Sequence, residues 1–172
     1  MDCPTCIELI STPAVMAVSY SEHGWAVFPL HTAVDGVCDC RKKCSSPGKH
    51  PRTMAGFKDA STDYEKVSEW WSIWPQANIG IATGAVSGIV VVDVDPRNGG
   101  LETASGIFLP KTAQVLTQGG GFHLYYKYPG PRKLKLGAGI DYKGDGGYVV
   151  APPSVGPLGV YVWQVAMEPQ AL

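Results

Sequence analysis

The most informative feature of the hydrophobic pattern is an uninterrupted apolar run that ends in two aspartates. Residues 89–92 are all apolar, which predicts a strand buried on both faces. Asp93 and Asp95 follow it, and because side chains alternate along a strand, we expect both carboxylates on one face. Such oxygen ligands suit Mg²⁺ or Mn²⁺. The alternative is a pair of carboxylates that simply faces solvent.

Two helices are predicted in the first half of the chain. The first covers residues 11–23, with Ser11 or Thr12 as its N-cap. The second begins at a segment of capping-box form, Thr62 to Glu65, and ends at Pro75. Apolar residues recur along one face of the second helix, and we interpret that face as core. Its members are Val67, Trp70, Trp71 and Trp74.

The remaining pattern predicts strands, with one short helix near residues 100–107. Residues 84–88 form a hairpin-like connection between two of these strands. The predicted strands cover residues 25–29, 79–83, 89–94, 114–117, 122–128, 147–151 and 160–164. Helices therefore dominate the first half and strands the second, which predicts an α+β fold with a mainly antiparallel sheet.

Composition and charge narrow the class of protein only slightly. The chain has 172 residues, 45% hydrophobic and 17% charged, with a net charge of −1, which indicates one globular domain. No stretch reaches the ~18 apolar residues of a membrane span, so a cytoplasmic protein is expected. Local basic clusters are nevertheless candidates for contacts with phosphate backbones. They are Arg41, Lys42, Lys43, Lys49 and Arg52, and Arg132, Lys133 and Lys135.

The cysteines are concentrated in the first 44 residues and are five in number. Four zinc-type ligands occur within thirteen residues, separated by loop-forming residues. These ligands are Cys38, Cys40, Cys44 and His50. They lie in a long loop over residues 31–56, and a structureless loop of that length is uncommon unless it is functional or held by a metal. A structural zinc is predicted; the alternatives are a fourth ligand from Cys3 or Cys6, or reduced thiols in a loop.

A glycine turn feeds a strand that begins with a histidine. Thr117 precedes the turn, and Gly119, Gly120 and Gly121 allow the backbone to approach a ligand and to offer amides to an anion. His123 follows, and in its cationic form it suits a triphosphate. The alternatives are an ordinary tight hairpin and a structural histidine.

A third strand-end carboxylate, Asp141, completes the candidate acidic set, with Lys143 two residues further on the same face. Three aspartates can hold two metals ~3.5–4 Å apart, the arrangement that serves phosphoryl or nucleotidyl transfer.

Seven short motifs occur in an order that resembles the primase-polymerase domain of the archaeo-eukaryotic primase superfamily. That domain forms the N-terminal part of phage and plasmid replication proteins. The resemblance runs from about residue 14 to 163. The motifs are GWAVFPL at 24–30, PGKHPR at 47–52, WW at 70–71, NIGI at 78–81, DVDP at 93–96, GGGFH at 119–123 and GYVVAPPS at 147–154.

The resemblance implies a compact two-lobed α+β domain, with lobes near residues 1–80 and 81–172 and an RRM-like antiparallel catalytic sheet flanked by helices. It assigns Asp93, Asp95 and Asp141 as ligands of two Mg²⁺ or Mn²⁺ ions. It assigns His123 to the phosphates of the incoming nucleotide, near Thr117 and the glycine amides, with Lys143 as a phosphate or template contact. Some relatives carry glutamate at the second acid, and some carry a zinc loop between the acids and the histidine. That interval is cysteine-free here, so the zinc prediction rests on spacing alone.

The function expected from these residues is template-directed nucleotidyl transfer, as DNA polymerase, primase or both, in the replication of a phage or plasmid in a bacterial host cell. Single-stranded template, primer and dNTP or rNTP are the implied partners, with a helical and a helicase domain in a longer parent protein. The chain itself is expected to extend primers but to start them poorly. The alternatives are a metal-dependent phosphohydrolase or nuclease, and a non-catalytic, zinc-stapled nucleic-acid-binding module.

Overall fold

The computed structural model describes residues 12–166 and 168–172, so the predictions for Cys3, Cys6 and Ser11 lie outside the described residues. In that part of the chain there are three α-helices and twelve strands. The helices are α1 (Pro13–Glu22), α2 (Tyr64–Ile73) and α3 (Gly100–Ser105), with 3₁₀ turns at Gly56–Asp59 and Pro96–Asn98. The strands are β1 (Val27–Leu30), β2 (Ala33–Val34), β3 (Val37–Cys38), β4 (Asn78–Ala82), β5 (Ile89–Val94), β6 (Ala113–Leu116), β7 (Phe122–Lys127), β8 (Ile140–Lys143), β9 (Tyr148–Ala151), β10 (Val155–Gly156), β11 (Gly159–Val160) and β12 (Val162–Val165).

Both predicted long helices are confirmed, with a different cap on the second. Thr12 caps α1 and accepts a hydrogen bond from the Val15 amide at 3.4 Å. Helix α2 begins one residue later than a capping box at Thr62 predicts. The Asp63 carboxylate, rather than the Thr62 hydroxyl, accepts a hydrogen bond from the Lys66 amide at 2.8 Å. A carboxylate at this position also favours the positive end of the helix dipole.

The apolar face of α2 is core only along its inner edge. Val67 and Trp71 are fully buried, whereas Trp70 and Trp74 are partly buried. Cationic side chains cover the two outer rings, with Lys66 4.8 Å from the centre of Trp70 and Arg52 5.7 Å from that of Trp74. The interpretation of this face as core therefore holds for Val67 and Trp71. Trp70 and Trp74 lie at the protein surface beneath these cations.

Two antiparallel sheets form the body of the fold, and the predicted α+β class is confirmed. A three-stranded sheet has the order β1-β4-β9, and a five-stranded sheet has the order β12-β6-β7-β5-β8. Strand β5, the apolar run of the sequence, lies between β7 and β8. Strand β9 comes from the last quarter of the chain but pairs with β4, so residues far apart in the sequence complete the three-stranded sheet.

The predicted hairpin between β4 and β5 is wrong. The two strands belong to different sheets and meet only at one isolated bridge, Gly84 to Ile89. Both edges of β4 are occupied by β1 and β9, and both edges of β5 by β7 and β8, so neither strand has an edge free for the other. The connection, which contains left-handed Gly84 and Gly88, carries the chain from one sheet to the other.

The five-stranded sheet has an apolar core on each face. The inner face, with Val91, Val115 and Tyr125, packs in one cluster with the three-stranded sheet and the first two helices. The outer face, with Val92 and Tyr126, packs in a second cluster toward α3. Two-sided burial explains why β5 reads as a continuous apolar run. No helix in the described ranges has the length and apolar character that a membrane crossing requires.

Candidate active site

The central feature of the site is a row of three side chains across adjacent strands. Asp93 on β5 lies directly opposite His123 on β7 and opposite Asp141 on β8. Directly opposed residues of an antiparallel pair project from the same face, so the row shares one face of the sheet. That face is the inner one, which carries Val91 and Tyr125 two residues away along β5 and β7. The sheet register thus brings together three residues that the sequence separates by up to 48 positions.

Asp93 is a partly buried carboxylate without a close cationic partner among the described residues. Its side chain is 28% exposed, and its nearest basic contact is the His123 Nε2 at 3.6 Å. Among the described residues no group donates a hydrogen bond to it within 3.5 Å. Burial raises the pKa of Asp93, Lys143 and Lys49 lower it, and the Asp141 and Asp95 carboxylates raise it further. The carboxylate is therefore poised to accept a cation.

His123 is buried, and its surroundings favour the neutral form of the imidazole. Burial, together with the positive charges of Lys49 and Lys143, lowers the pKa of His123 to about 3. Its ring lies 5.9 Å from that of Tyr161, and its Nδ1 is buried without a hydrogen-bond partner in the described part of the chain. Burial of His123 therefore favours the neutral imidazole over the cationic form that suits a triphosphate.

Asp95 follows the end of β5 and is held by its own neighbours. It caps the 3₁₀ turn that follows and accepts two side-chain hydrogen bonds from Arg97, at 3.0 and 2.8 Å, and one from Asn98 at 3.1 Å. These contacts, above all the Arg97 side-chain hydrogen bonds, lower the pKa of Asp95. Asp95 lines the same pocket as Asp93 and His123, and a cation bound there competes with the Arg97 guanidinium for its oxygens.

Asp141 lies at the other side of Asp93, on the edge strand β8. Its side chain is 71% exposed and accepts a hydrogen bond from Lys143 at 2.9 Å. It also lines a groove whose wall contains the basic segment 131–137. In that segment the exposed residues Lys133 and Lys135 alternate with partly buried leucines. The row of acidic and histidine side chains therefore ends at a basic groove.

The glycine turn packs tightly against the acidic strand end. The Gly121 amide donates to Thr117 Oγ1 at 3.2 Å, and the Gly120 amide donates to the Thr117 carbonyl at 3.0 Å. A Cβ at Gly121 would overlap the carbonyl oxygen of Val94. Of the three predicted anion-binding amides, two are thus engaged within the turn. The Gly119 amide has no acceptor within the described residues, and Gly119 lines the pocket.

Several pocket residues were not predicted for this site. Lys49 arrives from the cysteine-rich loop, and Tyr161 from the segment before β12. Arg97, Gln118 and Leu158 complete the wall. Arg97 is recognisable in the sequence as a cation two residues after Asp95. Gln118 directly follows the predicted Thr117, whereas the approaches of Lys49, Leu158 and Tyr161 depend on tertiary packing, for which the local sequence carries no signal.

The four predicted zinc ligands form a second centre. The ligand atoms of Cys38, Cys40, Cys44 and His50 all lie within 4.8 Å of one another, and the three thiols are free. The Cys38 Sγ to His50 Nε2 distance is 3.1 Å, close to the roughly 3.6 Å that separates sulfur and nitrogen ligands on a tetrahedral zinc. The structure brings the four residues together, and the group is able to hold a metal ion; zinc itself stays a prediction.

Local structure explains how the loop gathers its ligands. Cys38 ends a small hairpin whose turn, Asp35-Gly36, has positive φ at both residues, as a tight two-residue turn requires. The His31 ring stacks on His50 at 4.3 Å. Burial alone would raise the pKa of Cys38, but hydrogen bonds from the Gly48 and Cys40 amides and from His50 outweigh it and lower the pKa to about 7. A thiol that ionises this readily suits metal binding.

The chain is an α+β domain with an acidic pocket and a cysteine-histidine group that is able to hold a metal ion. A family profile described as bifunctional DNA primase/polymerase, N-terminal, matches residues 17–172. The match covers nearly the whole chain, so the chain belongs to the family of bifunctional DNA primase/polymerase N-terminal domains, whose activity is nucleotidyl transfer on nucleic acid. Comparison with curated proteins gave no match.

Proposed function

We propose that this chain extends a primer on a single-stranded DNA template with dNTP or rNTP, by metal-dependent nucleotidyl transfer in phage or plasmid replication. The observation that carries the proposal is the row of His123, Asp93 and Asp141 across three neighbouring strands. It supports a site in which nucleotide phosphates lie near the histidine and the basic groove receives the template.

The acidic residues fit divalent cations. Asp93 is a partly buried carboxylate with no hydrogen-bond donor in the described part of the chain, and Asp95 and Asp141 flank it in sequence and in the sheet. All three offer oxygen ligands, which Mg²⁺ and Mn²⁺ prefer. Two such ions, when bound by Asp93, Asp95 and Asp141, supply activation of a 3′-hydroxyl and neutralise charge on the triphosphate.

The neighbouring groups of the chain bind and orient the nucleotide. A neutral His123 donates one ring N–H to a phosphate oxygen without the repulsion that a third cation would feel beside Lys49 and Lys143. The Gly119 amide offers a second donor. The buried ring of Tyr161 lies 5.9 Å from the imidazole and forms part of its surroundings. These groups fix the position of the phosphates before reaction.

The basic groove beside Asp141 supports template binding. Arg132, Lys133 and Lys135 line it with Tyr142, and the three cations are exposed. Contacts of this kind to phosphates position a strand without reading its sequence, which suits an enzyme whose specificity comes from base pairing.

The test is incorporation of radiolabelled dNTP on a primed template, with Mg²⁺ or Mn²⁺. We expect the primer to lengthen one nucleotide at a time, and the label to stay in the longer strand. Shortening of the primer, or release of free nucleotide from it, would indicate a nuclease and contradict the proposal.

Replacing His123 by alanine should weaken dNTP binding roughly 10- to 100-fold, the loss of one hydrogen bond between a neutral donor and a charged acceptor. Calorimetry with dNTP and Mg²⁺ measures this loss, and anisotropy of labelled single-stranded DNA should show unchanged template binding. The matched control is His23→Ala, because His23 lies outside the pocket and its side chain is 44% exposed. Unchanged nucleotide affinity in His123→Ala would return His123 to a structural role.

We also propose zinc as the metal of the Cys38, Cys40, Cys44 and His50 centre. Three thiolates and one imidazole form a closed ligand set of the kind found in structural zinc sites. No position remains for a substrate, so the centre is proposed to hold the loop rather than to react.

A further inference from the structure

The cysteine-rich loop reaches the active site through one residue, Lys49. Lys49 directly precedes the ligand His50, and it lines the pocket that also contains Asp93, Thr117 and His123. Its positive charge acts on both Asp93 and His123. The second centre and the acidic row are therefore joined by a single peptide bond between a metal ligand and a pocket cation.

The backbone around Lys49 is anchored at three consecutive carbonyl groups. The Gly48 carbonyl accepts from Asn78 Nδ2 at 2.9 Å, and the Lys49 carbonyl accepts from the Tyr148 hydroxyl at 3.0 Å. The His50 carbonyl accepts from the His31 amide at 2.9 Å. These bonds fix the backbone from which the Lys49 side chain extends, and none of them involves its ammonium group.

Gly48 makes this approach possible. Its φ is +75°, and a Cβ there would lie 3.0 Å from the Val155 carbonyl oxygen and 3.2 Å from Asn78 Nδ2. A side chain at this position would push the loop away from the three-stranded sheet, and Lys49 would move with it. The loop is therefore seated closely against the strand and turn that flank the pocket.

In the part of the chain that the structure describes, the Lys49 ammonium differs from the other cations of the site in having no carboxylate partner. Lys143 is bound to Asp141 at 2.9 Å, and Arg97 to Asp95 at 2.8 Å. Within the described residues, no carboxylate oxygen lies within 4.0 Å of the Lys49 ammonium. A pre-positioned, unpaired cation beside a phosphate-binding histidine is suited to a polyanionic ligand.

We infer that Lys49 binds the triphosphate of the incoming nucleotide, and that the metal centre sets nucleotide affinity by holding His50 and thereby Lys49 in place. The inference rests on the proposed function of the pocket. Lys49 shares its pocket with His123 and Gly119, whereas the basic groove proposed for the template is lined by residues 131–145. Its ligand is accordingly the nucleotide rather than the template strand.

The first experiment compares Lys49→Gln with Lys111→Gln, which removes the same charge from an exposed position outside the pocket and outside both basic clusters. For Lys49→Gln we expect the dissociation constant of dNTP with Mg²⁺ to rise roughly 10- to 100-fold, as for loss of a charge-assisted hydrogen bond. The control should stay within about twofold, and Lys49→Arg should retain most of the affinity. Template affinity, measured by anisotropy, should be unchanged in all three.

Two results would overturn the assignment of Lys49 to the triphosphate. One is unchanged dNTP affinity in Lys49→Gln, and the other is a loss of template affinity with dNTP affinity retained. The outcome is separable from that of the proposed function, which is decided by incorporation of dNTP by the unaltered protein. Calorimetry measures binding alone and gives its answer whether or not the protein extends primers.

The second experiment tests whether the metal centre acts through the lysine. Cys40→Ser is made in the wild-type and in the Lys49→Gln background, and zinc content and melting temperature are recorded for all four proteins. We expect Cys40→Ser to weaken dNTP binding at least several-fold in the first background and to add little in the second, because coupled residues are not additive. Equal losses in both backgrounds would overturn the coupling. Zinc removal by a chelator and its restoration provide the same comparison without a substitution.

Discussion

Replacing Asp93 with asparagine is expected to reduce primer extension by at least about 10³-fold. The amide keeps the shape of the side chain but removes the charge that the proposed cations require. Asp93 lies in the middle of the row, between His123 and Asp141, so no neighbouring carboxylate can take its place. Single-turnover extension of a labelled primer measures the loss.

The same substitution should leave the melting temperature at pH 7 unchanged or raise it. Burial raises the pKa of the Asp93 carboxyl above its ordinary value, so the folded protein binds this proton more tightly than the unfolded chain does. The contribution of Asp93 to stability is then largest at low pH and is lost as the pH rises through the folded-state pKa. Asparagine does not ionise, so the variant does not lose this stability as the pH rises.

The matched control for Asp93→Asn is Glu102→Gln, an exposed carboxylate on α3 outside the pocket. The control should extend primers at the wild-type rate. Near-full extension by Asp93→Asn would show that the acidic row is not the metal site, and a sharp fall in its melting temperature would show that the lost activity reflects unfolding.

Loss of zinc should have the largest effect on stability. The double variant Cys38→Ser, Cys44→Ser is expected to lose its metal and at least about 3 kcal/mol of unfolding free energy, because metal bound only by the folded chain adds its binding energy to folding. For a chain of this size that corresponds to a fall of roughly 6–12 °C in melting temperature. Elemental analysis should give one zinc per wild-type chain.

The control for the zinc prediction is Cys3→Ser with Cys6→Ser, which removes the same number of thiols. Zinc content and stability should match the wild type if His50 is the fourth ligand. Loss of zinc in this control would instead assign a ligand to the N-terminal pair. A wild-type protein that contains no zinc and is as stable as the Cys38→Ser, Cys44→Ser variant would show that there is no zinc site.

The elements that could be predicted from the sequence are those whose burial or ligand set is evident from their own residues. Strand β5 has the predicted bounds, Ile89–Val94, because burial on both faces leaves an unbroken apolar run. The Cys38 to His50 ligands are gathered within one loop, so their spacing was enough to indicate the centre. The α2 cap was misplaced by one residue because Thr62 and Asp63 are both good caps, and local sequence does not choose between them.

The features that could not be predicted depend on how the two sheets stack. Nothing in residues 84–88 shows that their flanking strands enter different sheets. The burial that lowers the pKa of His123 depends on tertiary packing. The position of Lys49 depends on the hydrogen bond between Asn78 and the Gly48 carbonyl. The predicted division near residue 80, and the roles of the acidic residues in catalysis, stay predictions.

The position of β9 has a consequence for the order in which this protein matures during synthesis. The strand that completes the first sheet, the Tyr148 hydroxyl that holds the Lys49 carbonyl, and the Val155 amide that binds Asn78 all come from residues 148–155. A nascent chain released from the ribosome only as far as residue 147 contains every proposed catalytic aspartate, yet lacks the contacts that seat the lysine loop. Nucleotide binding should therefore arise only after residues 148–155 have left the ribosome and made these contacts.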